Sequence, residues 1–234
     1  MGGAETALAG LGARHGLSGA QIGQLAAILG VLASDRGAPS SVTDPLQAVD
    51  VHLADSLSTL ELAAVRDAER AVDIGSGAGF PGLPLAVALA GCELTLLESQ
   101  ARKCEYLARV LRDARIENAR VVCARAEEWR EGIGAHDLAT ARALARAPVV
   151  LEYAAPLLRP GGTLVDWRGK RDAAEEEAAA RAAGELGLER VEIRQVQPFA
   201  AVRDHHLHVY VKTGDTPGRF PRRAGTARKQ PLGG

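Results

Sequence analysis

Two periods of apolar residues run along the chain, and the change between them falls near residue 66. Ile22, Leu25, Ala26, Leu29 and Leu32 recur at helical spacing behind Ser18, a good N-cap, with Gly37 just beyond. They predict a helix over 18–34. A second helix is predicted from Asp44-Pro45, with Leu46, Val49, Leu53, Leu57 and Leu60 as its apolar stripe. Residues 1–65 thus read as a helical lead-in packed on the same domain. From Arg70 short apolar runs alternate with amphipathic ones. Strands are predicted at 71–75, 93–99, 120–126, 137–143 and 163–167, and helices at 81–90, 100–114, 147–158 and 172–186. The alternating runs 190–196 and 206–212 predict an antiparallel hairpin at one sheet edge. Residues 66–213 are therefore an α/β core: a seven-stranded, mostly parallel sheet covered on both faces, with its ligand site at the carboxyl ends of the strands.

Length and composition narrow the class. A chain of 234 residues, 47% hydrophobic and 24% charged, suits one domain with extensions and excludes disorder over most of its length. The longest apolar runs, 25–33 and 83–90, fall well short of the about 20 residues a bilayer span needs. No basic segment precedes an apolar run at the N-terminus, so a cytoplasmic protein without a signal peptide is expected. Cys92, Cys104 and Cys123 have neither even number nor metal-ligand spacing. They read as small core residues, with no disulfide and no metal site. Charge is uneven. Residues 216–234 hold five basic side chains (Arg219, Arg222, Arg223, Arg228, Lys229) and no acid, leaving 23 basic against 29 acidic in the body. Such a basic tail suits a polyanionic partner, and also suits simple solvation.

The sharpest motif is Val72-Asp73-Ile74-Gly75-Ser76-Gly77-Ala78-Gly79-Phe80-Pro81-Gly82, a strand running through a glycine turn into a helix. Glycines there allow a sharp turn and close approach of a ligand to the backbone. A phosphate-binding P-loop would need Gly-Lys-Ser/Thr, which is missing, and a dinucleotide loop would have Gly or Ala where Phe80 stands. Asp73 at the strand end would repel a pyrophosphate but suits a cationic amino-acid cofactor such as S-adenosylmethionine. Glu98, ending the next strand, is placed to accept hydrogen bonds from ribose hydroxyls. Each acid also has a bland reading, a loop contact for Asp73 and a solvated strand end for Glu98. Together with Gly75, Ser76, Gly77 and Gly79 they favour the methyl donor over a nicotinamide.

Residues 73–86 resemble the glucose-inhibited division protein B family, bacterial small-subunit rRNA guanine-N7 methyltransferases. The likeness extends to Thr43-Asp44-Pro45, His52-x-x-Asp55-Ser56, Leu97-Glu98-Ser99 with Lys103, Arg125-Ala126-Glu127-Glu128, Ala141-Arg142-Ala143, Leu158-x-Pro160-Gly161-Gly162 and the tail 216–225. It covers the chain from about residue 40 onward. Departures fall at Ser41-Val42-Thr43, where the family usually has Asn before Leu-Thr, and at Gly225-Thr226-Ala227. The resemblance implies a Rossmann-like class I methyltransferase fold. It also implies methyl transfer from S-adenosylmethionine to N7 of one guanine in 16S rRNA near the decoding region. Carried onto this chain, it places Gly75 and Phe80 on the cofactor loop, Ala126 and Glu127 at the adenine end, and Arg142 toward the methyl-transfer site.

N7 chemistry agrees with what is present and missing. Guanine N7 carries a free lone pair, so alignment, not a general base, should dominate. An amino-directed enzyme would place Asn/Asp-Pro-Pro-aromatic after the fourth strand, where Thr140-Ala141-Arg142-Ala143 stands, and C5 methylation needs a cysteine nucleophile. Arg142 reads as a clamp on phosphate or guanine O6, or as a ligand to the methionyl carboxylate. His52, Asp55 and Ser56 share one helix face, either packed internally or placed over the cofactor mouth. With aromatics at 3%, RNA affinity is expected from the tail cations, aided by Arg102, Lys103, Arg168, Lys170 and Arg171. Five such contacts would give a salt slope of about −4, and loss of 216–234 is expected to spare cofactor binding and abolish RNA methylation. A monomer is expected. A small-molecule methyltransferase and a non-catalytic ribosome-assembly factor are the competing readings.

Overall fold

A computed structural model describes residues 2–233. The lead-in holds α1 (Gly2–Arg14) and α2 (Gly19–Ser34), the second capped as the pattern predicts. Ser18 accepts from the Gln21 amide, and the Gln21 side chain returns to the Ser18 amide. The segment 45–61 departs from the single helix expected. It breaks into α3 (Pro45–Ala48), a π-helical turn (Val49–Ala54), α4 (Asp55–Leu57) and a 3-10 turn (Ser58–Glu61). The wide turn shifts the helical register, so Val49, Leu53 and Leu57 are buried while Leu46 is 52% exposed. α5 (Ala63–Arg66) leads into the core.

β1 (Arg70–Ile74), α6 (Gly82–Ala88), β2 (Glu93–Glu98), α7 (Ala101–Asp113), β3 (Ala119–Cys123), β4 (His136–Arg142), α8 (Ala147–Ala154), β5 (Leu158–Arg168), α9 (Ala173–Leu186), β6 (Leu188–Val196) and β7 (His205–Lys212) follow in turn. The sheet order is β3-β2-β1-β4-β5-β7-β6. β1 to β5 are mutually parallel, while β7 runs antiparallel to both β5 and β6. The predicted hairpin thus forms, but its second strand lies inside the sheet and its first strand is the edge. β5 starts at Leu158 and not Thr163, because the Arg159–Gly162 turn continues the strand.

Two apolar clusters cover the two faces. On one, Leu25, Ile28, Leu53 and Leu57 of the lead-in join Leu83, Leu85, Leu96 and Leu107 of α6, β2 and α7. The lead-in is therefore part of the core's own packing. On the other, α8 and α9 pack with Val72, Ala139 and Leu164, and Phe220 and Ala227 join them from the chain's end. That end closes with α10 (Thr226–Lys229).

The cysteines correct the expectation above. Cys104 in α7 and Cys123 at the end of β3 form a disulfide, with Cα atoms 5.8 Å apart, and Cys92 alone is free and buried. The pairing has no local signature because α7 crosses back over the sheet, bringing its first turn beside the carboxyl end of β3.

Candidate active site

The glycine turn after β1 is fixed by the neighbouring strand. Gly75 and Ser76 both donate backbone N–H bonds to the Leu97 carbonyl, at 2.7 and 3.2 Å. Gly75 has φ +71°, and a Cβ there would strike the Leu144 side chain. The two acids serve this turn first. Asp73, 1% exposed, accepts from Thr140 Oγ1 at 2.9 Å and from the Gly82 amide at 3.3 Å, and burial raises its pKa to about 6. Its carboxylate is buried against the loop and is not among the side chains that line the cleft beside it. Glu98 accepts from Gly77 N through Oε2 at 3.1 Å, and from Ser99 N and Gln100 N through Oε1 at 2.7 and 2.9 Å. One acceptor position on Oε2 is left for a ligand.

Beside the turn, at the carboxyl ends of β1, β2 and β3, lies a small open cleft with a cavity volume of about 70 Å³. Gly75, Ala126 and Glu127 line it, and so do Ser99, Leu144, Tyr153 and Arg228. Phe80 and Arg142 do not line it. Leu144 and Arg142 are directed apart by Ala143 between them, a non-glycine residue at φ +53°. Strain of this kind persists where the surroundings hold it, typically beside a site.

Arg142 heads a second constellation. Its Nη1 donates to Asp55 Oδ2 at 2.7 Å and to the Val51 carbonyl at 3.2 Å, and its Nη2 donates to His52 Nδ1 at 3.3 Å. Because Arg142 can only donate, Nδ1 of His52 carries the lone pair and Nε2 the proton, which faces the Val42 carbonyl at 3.1 Å. Burial, then the Arg142 charge, lowers the His52 pKa to about 4, so the ring is neutral at pH 7. It stacks on Phe80 with centroids 4.3 Å apart and planes 8° apart. The glycine loop therefore touches both places, the cleft through Gly75 and the constellation through Phe80. Ser56 takes the internal-packing reading, its hydroxyl donating to the His52 carbonyl within the helix. His205, at the start of β7, was missed: its Nδ1 donates to Asp55 Oδ1 at 3.0 Å. Trp167 Nε1 reaches the Asp55 carbonyl at 3.4 Å.

The tail does not project as a solvated strand of charge. Arg222 pairs with Glu152, itself 0% exposed, and Arg219 with Glu185. Arg228 donates to the Leu144 carbonyl. Of the body cations proposed with it, Arg168 pairs with Asp166 and Glu175, and Arg171 with Glu176. Among the described residues, Arg223, Lys229, Arg102, Lys103 and Arg36 have no acidic partner. No group of three or more metal-ligating side chains occurs among them.

The sheet order, the glycine turn at the end of β1 and the cleft beside it define the class I methyltransferase fold. Solved structures share it: a Thermotoga maritima S-adenosylmethionine-dependent O-methyltransferase (TM-score 0.55, 14% identity, 75% of this chain and 72% of that one) and an Aeropyrum pernix fibrillarin with natively bound S-adenosyl-L-methionine (0.54, 21%, 68% and 73%). More narrowly, the model of the family described as rRNA small subunit methyltransferase G matches residues 31–205, and the chain belongs to that family. Curated relatives named ribosomal RNA small subunit methyltransferase G include those of Syntrophomonas wolfei and Synechococcus sp. strain JA-3-3Ab. The first is 42% identical over 186 residues, 79% of this chain and 86% of its own. The second is 38% identical over 203 residues, 82% and 77%. No helix among the described residues is long and apolar enough to cross a membrane.

Proposed function

We propose that this protein transfers a methyl group from S-adenosyl-L-methionine to N7 of a single guanine in 16S rRNA, near the decoding region. The observation that carries the reading is the glycine loop that borders a cleft at Gly75 and a preorganised Arg142–Asp55–His52 constellation at Phe80. Family membership supports an rRNA substrate.

The residues fit the donor. Ile74, Leu97, Ala124 and Ala126 make an apolar lining for adenine. Glu98 keeps one acceptor position for a ribose hydroxyl, and Ala126-Glu127 close the purine end. Asp73 acts by holding the turn and lending negative charge beneath it. Bound there, the donor supplies an electrophilic methyl group on a sulfonium.

The constellation positions and does not abstract. His52 is neutral and has its remaining lone pair engaged by Arg142, and Asp55 is held by Arg142 and His205. His205 keeps its Nε2 free beyond the Asp55 contact, but an acceptor nitrogen already bearing a lone pair asks for no base. Arg142 would oppose the cationic methylated ring if it stood alone. Paired with Asp55 it is locally neutralised and serves as a clamp on O6 or phosphate. Cysteine chemistry is unsupported, since Cys92 is buried and Cys104 and Cys123 are bonded to each other. RNA phosphates can be met by cations without an acidic partner, among them Arg223 and Lys229 of the tail, Lys170, and Arg102, Lys103 and Arg36 around a shallow basic cavity.

The test is incubation with labelled S-adenosylmethionine and small ribosomal subunits lacking the modification, followed by mapping of N7-methylguanine through chemical strand cleavage. One labelled guanine in 16S rRNA is expected. Label confined to a small metabolite, or no label in RNA, would overturn the reading.

A further inference from the structure

We infer that the C-terminal segment is part of the donor site, and that Arg228 binds the adenine end of the S-adenosyl group; the inference rests on the donor assignment above. The segment is built into the body at every turn. Thr216 Oγ1 donates to the Leu186 carbonyl at 3.0 Å, and Phe220 is buried between Arg219 and Arg222. Arg222 donates to Glu152 Oε1 at 2.8 Å and to the Gln230 carbonyl at 2.8 Å. Gly225 N then donates to Glu127 Oε1 at 2.9 Å, tying the segment directly to a residue of the cleft wall.

These contacts set the register of α10. Ala227, 1% exposed, faces the α8 side, which turns the next side chain to the cleft. Arg228 lines it with Ala126, Glu127 and Tyr153, and its Nη2 donates to the Leu144 carbonyl at 3.1 Å. Leu144 in turn is the side chain that lies against Gly75. One of the five guanidinium N–H groups is therefore spent on orientation, leaving a planar cation for a ligand. A flat heterocycle with ring-nitrogen acceptors and a π face matches that group, whereas the sulfonium is itself cationic and is repelled by it. The wall on this side is the Ala126-Glu127 side, so the adenine is the part of the donor that meets Arg228. The tail thereby closes the cleft that its own Glu127 contact shapes.

The experiment is calorimetric binding of S-adenosylhomocysteine and, separately, of adenosine to the full chain, for the unaltered protein, Arg228→Ala and Arg228→Lys, with the unliganded thermal midpoint of each. R228A is expected to weaken both ligands by the same factor, on the order of tenfold. R228K keeps the charge without the plane and is expected to recover little of it. Should R228A loosen the tail and lower the midpoint, the R228K result decides. Equal affinity in all three proteins would overturn the inference while leaving the donor assignment standing. Weakening for S-adenosylhomocysteine but not adenosine would also overturn it, by placing the guanidinium at the amino-acid end. If the unaltered protein bound neither ligand, the donor assignment would fall and this inference with it.

Discussion

Asp73 carries a pH signature that a surface carboxylate would not. Burial lifts its pKa from 3.8 to about 6, against the hydrogen bonds from Thr140 and Gly82 and the charge of Arg142. A group whose folded pKa is raised contributes stability that is complete below pH 3.8 and lost as pH rises through about 6. At about 1.4 kcal/mol per pH unit the difference is roughly 3 kcal/mol. Asp73→Asn keeps the acceptor oxygen and removes the titration. Its stability relative to the unaltered protein should therefore improve by about that amount between pH 4 and pH 7.5, whatever constant cost the amide adds. Urea unfolding at the two pH values measures it, and a difference independent of pH would show that the carboxylate is not shifted. His52 works in the opposite sense. Its lowered pKa costs stability as pH falls from 6.5 toward 4, since only the unfolded chain then takes up the proton.

At the scale of elements, the tail is held by one ion pair with a wholly buried acid. Glu152 lies within α8 at 0% exposure, and Arg222 is its charged partner. Removing one member of a buried pair leaves an uncompensated charge, whereas replacing both by apolar residues is often neutral. Arg222→Ala should thus cost about 3 kcal/mol in unfolding free energy, and the double change Glu152→Met with Arg222→Met should recover most of it. A small effect of R222A would mean that water reaches Glu152. The π-helical turn at Val49–Ala54 is a second element under tertiary control. It widens the helix where Asp55 and His52 must both reach Arg142, and so sets Leu46 outward.

Across the whole molecule, lead-in and core share one apolar cluster. Leu25, Ile28 and Leu32 of α2 and Leu53 and Leu57 beyond it are at most 0% exposed, packed on the face that α6 and α7 present. Residues 66–213 made alone would expose that face. They are expected to aggregate or to bind a hydrophobic dye without a cooperative thermal transition, and a sharp transition with native-like near-UV dichroism would show the core to be autonomous. Charge is likewise settled at this scale. Of the five basic residues of the tail, Arg219 and Arg222 answer acids of the body, which leaves Arg223, Arg228 and Lys229 as the tail's excess charge.

The cleft was legible where its residues follow their own strands. Gly75 directly follows β1, whose end is marked by local pattern, whereas Ala126 and Glu127, a few residues past β3, came from the family resemblance. Leu144 and Tyr153 carried no signal beyond apolar spacing, and His205 meets Asp55 across 150 residues of sequence. Asp73 takes the loop contact that was one of its two readings, and Glu98 accepts from loop amides where its second reading was a solvated strand end. Glycine turns leave backbone N–H groups unpaired, and Asp73 and Glu98 were the nearest acceptors for them.

Periodicity, caps and the glycine turn are properties of contiguous residues, so the alternation of strands and helices, the parallel core and the loop's chemistry were determined by the sequence alone. The place of β7 inside the sheet, the Cys104–Cys123 bond, the wide turn before Asp55 and the folding of the basic tail onto Glu152 and Glu127 were decided only in the tertiary structure. Each depends on which distant group supplies a buried charge or hydrogen bond with its partner, and that is set by packing, not by neighbours in the chain.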